Sequence, residues 1–427
     1  MLLNKIKNTV SANIFQQLSS IVLFLLIPKI LSVENYAIVV FIGVLLSFAS
    51  LGDFGFSFVY SRKMPAIYHA NDLDAINQWN ATAFWLGLIS SLMVGGLIAV
   101  IYYFKFHGLL YAVLIFLLLP MMALTSFYTL QFTSREYFVS YRYLIIVQSG
   151  LRLLAIPLTL MLGLLGWFIN QILIFSVGLK KLFDNGIPPL AEFNKSLINK
   201  HFHEGLLLIL TFFIWNQMLG SGRLFAAFHY EKSIIAMYGL MSTGYQILTS
   251  LLLSAFIPFS VNTLKMIHTD EKAAIARIFK IIYIAIPSVF VLVLLAETVT
   301  PYLFTLFFQK YHYDAVIFKS FLYSLFLFPI VITFGNVYIG KAKTPLYVVL
   351  LAISLLVAIV SFYYLLPLYN NRAAAFAQLF GITTCAMLML GVACYIFRDL
   401  IDDKLYKLSG LFGMFLFIIM FEYWVIN

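Results

Sequence analysis

Residues 346–366 read LYVVLLAISLLVAIVSFYYLL, with no charged side chain and no alternation of polar with apolar positions. A run of that length matches a bilayer as a helix, since each residue rises about 1.5 Å and the hydrocarbon core is about 30 Å thick. Hydrocarbon offers no partner to a bare amide, so a spanning segment satisfies its backbone within a helix or a closed barrel. The short alternating strands of a barrel are absent from the sequence, which leaves a helical bundle.

Comparable runs recur along the chain. Six are expected near 10–31, 36–60, 81–104, 109–131, 143–163 and 164–179, and six more near 205–224, 233–261, 278–303, 315–340, 346–366 and 373–397. The fold class is therefore all-α: a polytopic membrane protein with twelve core helices in two six-helix bundles, 1–183 and 205–398. A cytoplasmic linker, 184–204, containing the Ile187–Pro188–Pro189 step, is expected between them. Residues 399–427 form a tail whose run 408–426 suits either a thirteenth span or an interfacial helix. The first run follows Lys5 and Lys7, is long, and lacks a small-residue cleavage site, so it reads as a span and not a removable signal.

Composition agrees: 63% of residues are hydrophobic and only 10% charged. The basic residues gather in alternate loops, including Arg62, Lys63, Arg135, Arg142, Lys180, Lys181, Lys195, Lys200, Lys341 and Lys343 on one side. The other side holds Lys105, Lys232, Lys310 and Arg372. Cytoplasmic loops carry the excess of Lys and Arg, so the N-terminus is expected in the cytoplasm. The net charge of +10 is accordingly a topology signal, and nucleic acid is not an expected partner. Cys385 and Cys394 share no helical face and read as inert core residues. No P-loop, dinucleotide glycine motif or H-E-x-x-H pair occurs, so no cofactor and no metal is expected.

Polar side chains inside the spans carry the functional information. Asn13, Gln16, Gln17 and Ser20 follow helical spacing in span one, as do Asn216, Gly220 and Arg223 in span seven. A third stripe, Gln148, Arg152, Ala155 and Thr159, belongs to span five. Amides at such positions commonly hydrogen-bond helix to helix. A guanidinium in mid-span is different, since it costs roughly 3 kcal/mol on insertion scales and faces a partner or a wet path. Lys29, Arg223 and Lys319 lie nearer span ends, where they can also snorkel to the interface. Asp53 and Glu297 are the candidates for binding a coupling proton or sodium ion; the simpler roles are a helix-end residue for Asp53 and an ion-pair partner for Glu297. The candidate interior is net cationic and suits an anionic cargo, and the arginine fork holds phosphate oxygens bidentately.

A shift of 203 residues pairs Asn13 with Asn216, Leu45 with Leu248, Ser47 with Ser250, Phe56 with Phe259 and Arg62 with Lys265, which suggests two similarly built halves. The segments NIFQQLSSIVLFLLIPKILSVENYAIVVFI, LGDFGFSFVYSRK and FIPFSVN resemble bacterial O-antigen and polysaccharide flippases of the Wzx type. These belong to the multidrug/oligosaccharidyl-lipid/polysaccharide exporter superfamily. Ala37 after Tyr36 departs from the Gly frequent in that family. The resemblance implies two six-helix lobes, alternating access, the bacterial inner membrane, and an undecaprenyl-diphosphate-linked glycan as cargo. Membrane lipids, a polysaccharide polymerase and a chain-length regulator are the further partners it implies. On this reading Arg152, Arg223, Lys29 and Lys319 attract the diphosphate, and Gln148, Asn13, Gln17 and Asn216 contact sugar hydroxyls or close the bundle.

Two other readings compete. A cation-coupled small-molecule or multidrug exporter of the same fold would depend on Asp53 or Glu297 more than on any arginine. A membrane-embedded polymerase or ligase would present a large outer loop, and the longest expected one is only 308–314. Asp72 and Asp74 of NDLDAIN have the D-x-D spacing of glycosyltransferases but suit the start of a helix, with Asn71 or Asp72 as cap. His201, His203 and Glu204 lack a fourth ligand and read as surface residues.

Overall fold

A computed structural model describes residues 2–341 and 343–397, without the side chains of 2–10, 185, 254–255, 257–265 and 268–269. Expectations for the tail 399–427 lie outside the described residues. Among the described residues the chain is all-α with no strand, and nine stretches are long and apolar enough to cross a membrane, the last of them, Thr344–Ile396, containing two helices. It is a polytopic membrane protein. The chain divides into two compact units, Met1–Phe213 and Ile214–Asn427.

Unit 1 begins with α1 (Leu2–Ile30) and α2 (Val33–Leu46), joined at Ser32, whose hydroxyl caps α2 by accepting from the Asn35 amide at 3.2 Å. The expected second span is broken: α2 passes into a 3-10 turn, Ser47–Leu51, and restarts as α3 (Phe56–Ala70). Gly55 has φ +78°, and a Cβ there would collide with the carbonyl oxygen of Gly205, so the turn presses backbone to backbone on a later helix. Asp72 accepts from the Ala75 amide at 3.0 Å and starts α4 (Leu73–Phe106), a capping role and not a metal-binding one. Then come α5 (Leu109–Ser134), α6 (Phe138–Leu153), α7 (Ala155–Leu162) and α8 (Leu164–Asn185).

Pro157 explains the split of the fifth span. It has no amide to give the Leu153 carbonyl, and its ring crowds that turn, so α6 ends at Leu153 and α7 restarts at Ala155, two residues upstream of it. Within unit 1, α4 packs on α5, α1 on α6 and α7, and α8 on α5, α6 and α7. Phe84, Phe127, Tyr128 and Leu144 form one buried cluster, and Phe56, Tyr60, Met64 and Trp79 another.

The expected linker, 184–204, is mostly not a free tether. α8 runs to Asn185 and α9 (Lys195–Leu219) starts well inside it. Between them the chain is docked on α4: Trp85 Nε1 donates to the Pro188 carbonyl at 3.0 Å, and Asn194 bonds to Thr82 and Gln78 at 3.0 and 2.9 Å. Unit 1 ends within α9, whose Gly205 lies against Gly55.

Unit 2 continues with α10 (Ser221–His229), α11 (Lys232–Thr269), α12 (Glu271–Phe307), α13 (Ala315–Ser324), α14 (Phe328–Gly340), α15 (Thr344–Tyr369) and α16 (Ala373–Ile396). α16 is central to it, packing on α10, α13, α14 and α15. Ser47 and Ser250, which the 203-residue shift pairs, each donate to the carbonyl three residues before them, at 2.6 and 2.8 Å, as other serines of the chain do. α11 nevertheless runs unbroken through 255–258, where the equivalent of the Gly52–Gly55 turn would fall.

The backbone contact predicts a sharp contrast between two glycines. Gly55→Ala, strained by its positive φ and by the Gly205 carbonyl, loses at least about 2 kcal/mol of stability. Gly150→Ala, which meets nothing within 4 Å, stays close to wild type. Thermal unfolding of the detergent-solubilised variants measures both.

Candidate functional site

The break before Pro157 places Arg152 in the last turn of α6, where the aligned peptide dipoles give the helix end partial negative charge. The Arg152 side chain is half-buried and crosses to α1, where Nη1 donates to Ser20 Oγ at 3.3 Å. Ser20 in turn donates to the Gln16 carbonyl at 2.8 Å, which leaves its lone pairs for the guanidinium. No carboxylate pairs with Arg152 among the described residues. Its charge is thus met by a helix end and one hydroxyl, with most of its five donors unused by the protein.

The surrounding polar residues follow from the same break. Leu151, whose carbonyl lies at the end of α6, accepts from Asn170 Nδ2 of α8 at 2.8 Å, and Asn170 is fully buried. A turn deeper, α7 and α8 approach so closely that a Cβ on Gly166 would strike the Leu158 carbonyl. Near the other end of α6, the Tyr141 hydroxyl donates to Asn13 Oδ1 at 3.4 Å. The seam between α1 and α6 therefore carries polar contacts at two levels, Asn13 with Tyr141 and Ser20 with Arg152. Gln17, on the same face of α1, is exposed.

The expected stripe of span five does not lie on one surface. Gln148 is buried and reaches across to the Ile174 carbonyl of α8 at 3.5 Å, while Arg152 turns to α1. Thr159 is buried beyond the break. Of the other candidates in unit 1, Lys29 is exposed in the last turn of α1. Asp53 uses its carboxylate locally: Oδ1 accepts from the Gly55 amide and Oδ2 from the Ser57 amide, each at 3.0 Å. It fixes the turn that restarts the broken second span, in keeping with a helix-end residue.

In unit 2, Gly220 separates α9 from α10, placing exposed Asn216 before the break and half-buried Arg223 after it. Gln378 of α16 accepts from the Gly222 amide at 2.9 Å and ties α10 in place. Lys319 is half-buried in α13, and Glu297 half-buried in α12. Burial, with the nearby charges of Glu297 and Asp314, raises the pKa of the Tyr313 phenol in the connecting loop, which puts Glu297 within electrostatic reach of that loop. Asp314 itself caps α13 and accepts from Arg372 Nε at 2.9 Å. His201 and Glu204 contact each other at 3.4 Å, His201 stacks near Trp79, and no metal-binding group occurs among the described residues.

Sequence reasoning missed Asn170 and Tyr141, which act through neighbours distant in the chain. Pro157 was the available signal for the helix end. The capping role of Asp53 is testable: Asp53→Ala, which removes both amide partners, lowers stability by about 1–2 kcal/mol, and Asp53→Asn restores part of it. Chemical denaturation in detergent reads the difference.

The sequence matches no protein-family model and no curated protein. Solved structures are similar in fold. An inward-facing multidrug resistance MATE family transporter of the MOP superfamily aligns with TM-score 0.67 at 13% identity, over 91% of this chain and 96% of that one. A eukaryotic MATE transporter aligns with TM-score 0.59 at 12% identity, over 90% and 96%. The lipid II flippase MurJ, in an inward closed conformation, aligns with TM-score 0.57 at 15% identity, over 96% and 92%. Across nearly its whole length, the chain has the fold of these transporters.

Proposed function

We propose that this protein is an alternating-access flippase that carries an undecaprenyl-diphosphate-linked oligosaccharide, an O-antigen or related surface-glycan unit, from the cytoplasmic to the outer leaflet of a bacterial inner membrane. The observation that carries the reading is Arg152: a guanidinium in mid-span, without a carboxylate, held by one hydroxyl at a helix end. A charge costing about 3 kcal/mol to insert is offset here by about 1 kcal/mol from the helix end and about 1.5 kcal/mol or more from a charged hydrogen bond. The residue is thereby tolerated with donors to spare, which suits the transient binding of a phosphate oxyanion. Lys29, Arg223 and Lys319 are proposed to assist, and the exposed amides Asn13, Gln17 and Asn216 to meet sugar hydroxyls. Fold similarity to a lipid II flippase supports this cargo class.

Fold similarity to a multidrug transporter favours a second reading, cation-coupled export of small molecules. Glu297 is then the leading coupling residue for a proton or sodium ion, since Asp53 is engaged by two backbone amides.

Arg152→Ala is expected to insert normally but to lower flux at least about tenfold, the loss of one charged contact of about 1.5–3 kcal/mol. Arg152→Lys keeps part of the flux, retaining charge without the fork. Mass spectrometry of the membrane lipids, with sidedness labelling of the glycan, reads the outcome as lipid-linked oligosaccharide held on the cytoplasmic face. Wild-type flux in Arg152→Ala, together with loss of flux in Glu297→Gln, would transfer the assignment to the cation-coupled reading.

A further inference from the structure

Unit 1 contains a cavity of ≈ 360 Å³ bounded by the broken second span, α4 and α5, with Phe212 of α9 at its edge. Its polar lining is Ser50, Asp53, Ser57, Ser90, Ser91 and Ser126, with the Tyr60 hydroxyl, and it includes no lysine, arginine or histidine. A phosphate would therefore find a carboxylate and no cation there.

The hydrogen bonds already made decide what remains on offer. Ser50, Ser90 and Ser91 each donate to a carbonyl of their own segment, at 3.2, 3.1 and 2.7 Å, so their oxygens face the cavity as acceptors. Each Asp53 oxygen accepts one backbone amide and keeps a second lone-pair site. The Tyr60 hydroxyl is spent on Asn80 at 2.6 Å. The hydroxyls of Ser57 and Ser126 make no hydrogen bond among the described residues. The cavity thus presents several acceptors and two uncommitted hydroxyls within a mostly apolar lining, and suits an occupant with both donors and apolar faces.

Size and walls narrow the choice. The volume lies in the range of small-molecule pockets, roughly 300–1,000 Å³, and is far larger than one ion needs. Phe58 and Phe212 supply apolar aromatic surface beside the serines. An acyl chain would leave the Ser57 and Ser126 hydroxyls and the remaining lone pairs of Asp53 unanswered, at a cost of a few kcal/mol. A ring with hydroxyls on its rim and C–H groups on its faces satisfies both kinds of wall.

We infer that this cavity binds one pyranose ring of the cargo glycan, its hydroxyls donating to Asp53 and the serines and its C–H face lying on the aromatic side chains. The inference rests on the proposed glycan cargo, but its test does not read transport. Full-length protein in nanodiscs is titrated with free glucose, galactose, N-acetylglucosamine and N-acetylgalactosamine, and binding is followed by saturation-transfer NMR. At least one sugar is expected to bind saturably. Ser126→Leu and, separately, Ala123→Leu fill the cavity and weaken that binding at least tenfold. Ser57→Ala, which removes a hydroxyl without adding volume, weakens it several-fold and keeps the test available where the larger variants fail to fold. Sugar binding is read here without any flux, so failure of the flippase reading shows in the lipid-sidedness assay while failure of the cavity assignment shows in this titration. Absence of binding by all four sugars, or undiminished binding in folded cavity variants, overturns the assignment.

Discussion

A proline that cannot donate sets the chemistry of unit 1. Pro157 interrupts the fifth span, and in hydrocarbon every carbonyl released by such an interruption needs a new partner. At the interruption the Leu151 carbonyl accepts from both the Leu154 amide and Asn170, and Arg152 is left at the negative end of a helix in the middle of a span. Without the break, the same arginine would lie along a continuous helix with no dipole end to face. The polar stripe and the break are therefore one device, in which backbone geometry makes a charged side chain tolerable.

The second break in unit 1 works differently. The turn from Gly52 to Gly55 is closed by Asp53, which bonds to two amides, and is pressed on α9 through Gly55 and Gly205. Here the carboxylate is part of the backbone's own accounting, and a coupling role would need it to act while holding the turn. The contrast between the two charges is instructive. Asp53 spends one site of each oxygen on the protein's amides, whereas Arg152 has most of its donors unused by the protein, so the surplus is of acceptors at one and of donors at the other.

Much of this architecture was legible in the sequence because bilayer thickness converts directly into run length. The apolar runs and the cap at Asp72 depend on residues within a few positions of each other. What escaped depends on distant partners. The docking of 186–194 on α4 needs Trp85, Thr82 and Gln78 to meet a segment about a hundred residues later. Gln148 and Arg152 share a helical stripe, yet one meets α8 and the other α1, because a buried helix touches neighbours on several sides. Spacing assigns a face to a residue but does not name the helix across from it.

Opposite polar characters within unit 1 also bear on cargo. A transporter for a simple cation would gain from carboxylates with free lone pairs and would be penalised by an uncompensated guanidinium in the same unit. A transporter for a simple anion would have little use for a chamber lined by Asp53 and serine oxygens and free of cations. A diphosphate-linked glycan joins an oxyanion that wants donors to hydroxyls that want acceptors, and unit 1 provides each at a different place. Fold alone would accommodate any of these cargos. It is the separation of unused donors from unused acceptors that favours one carrying both kinds of group.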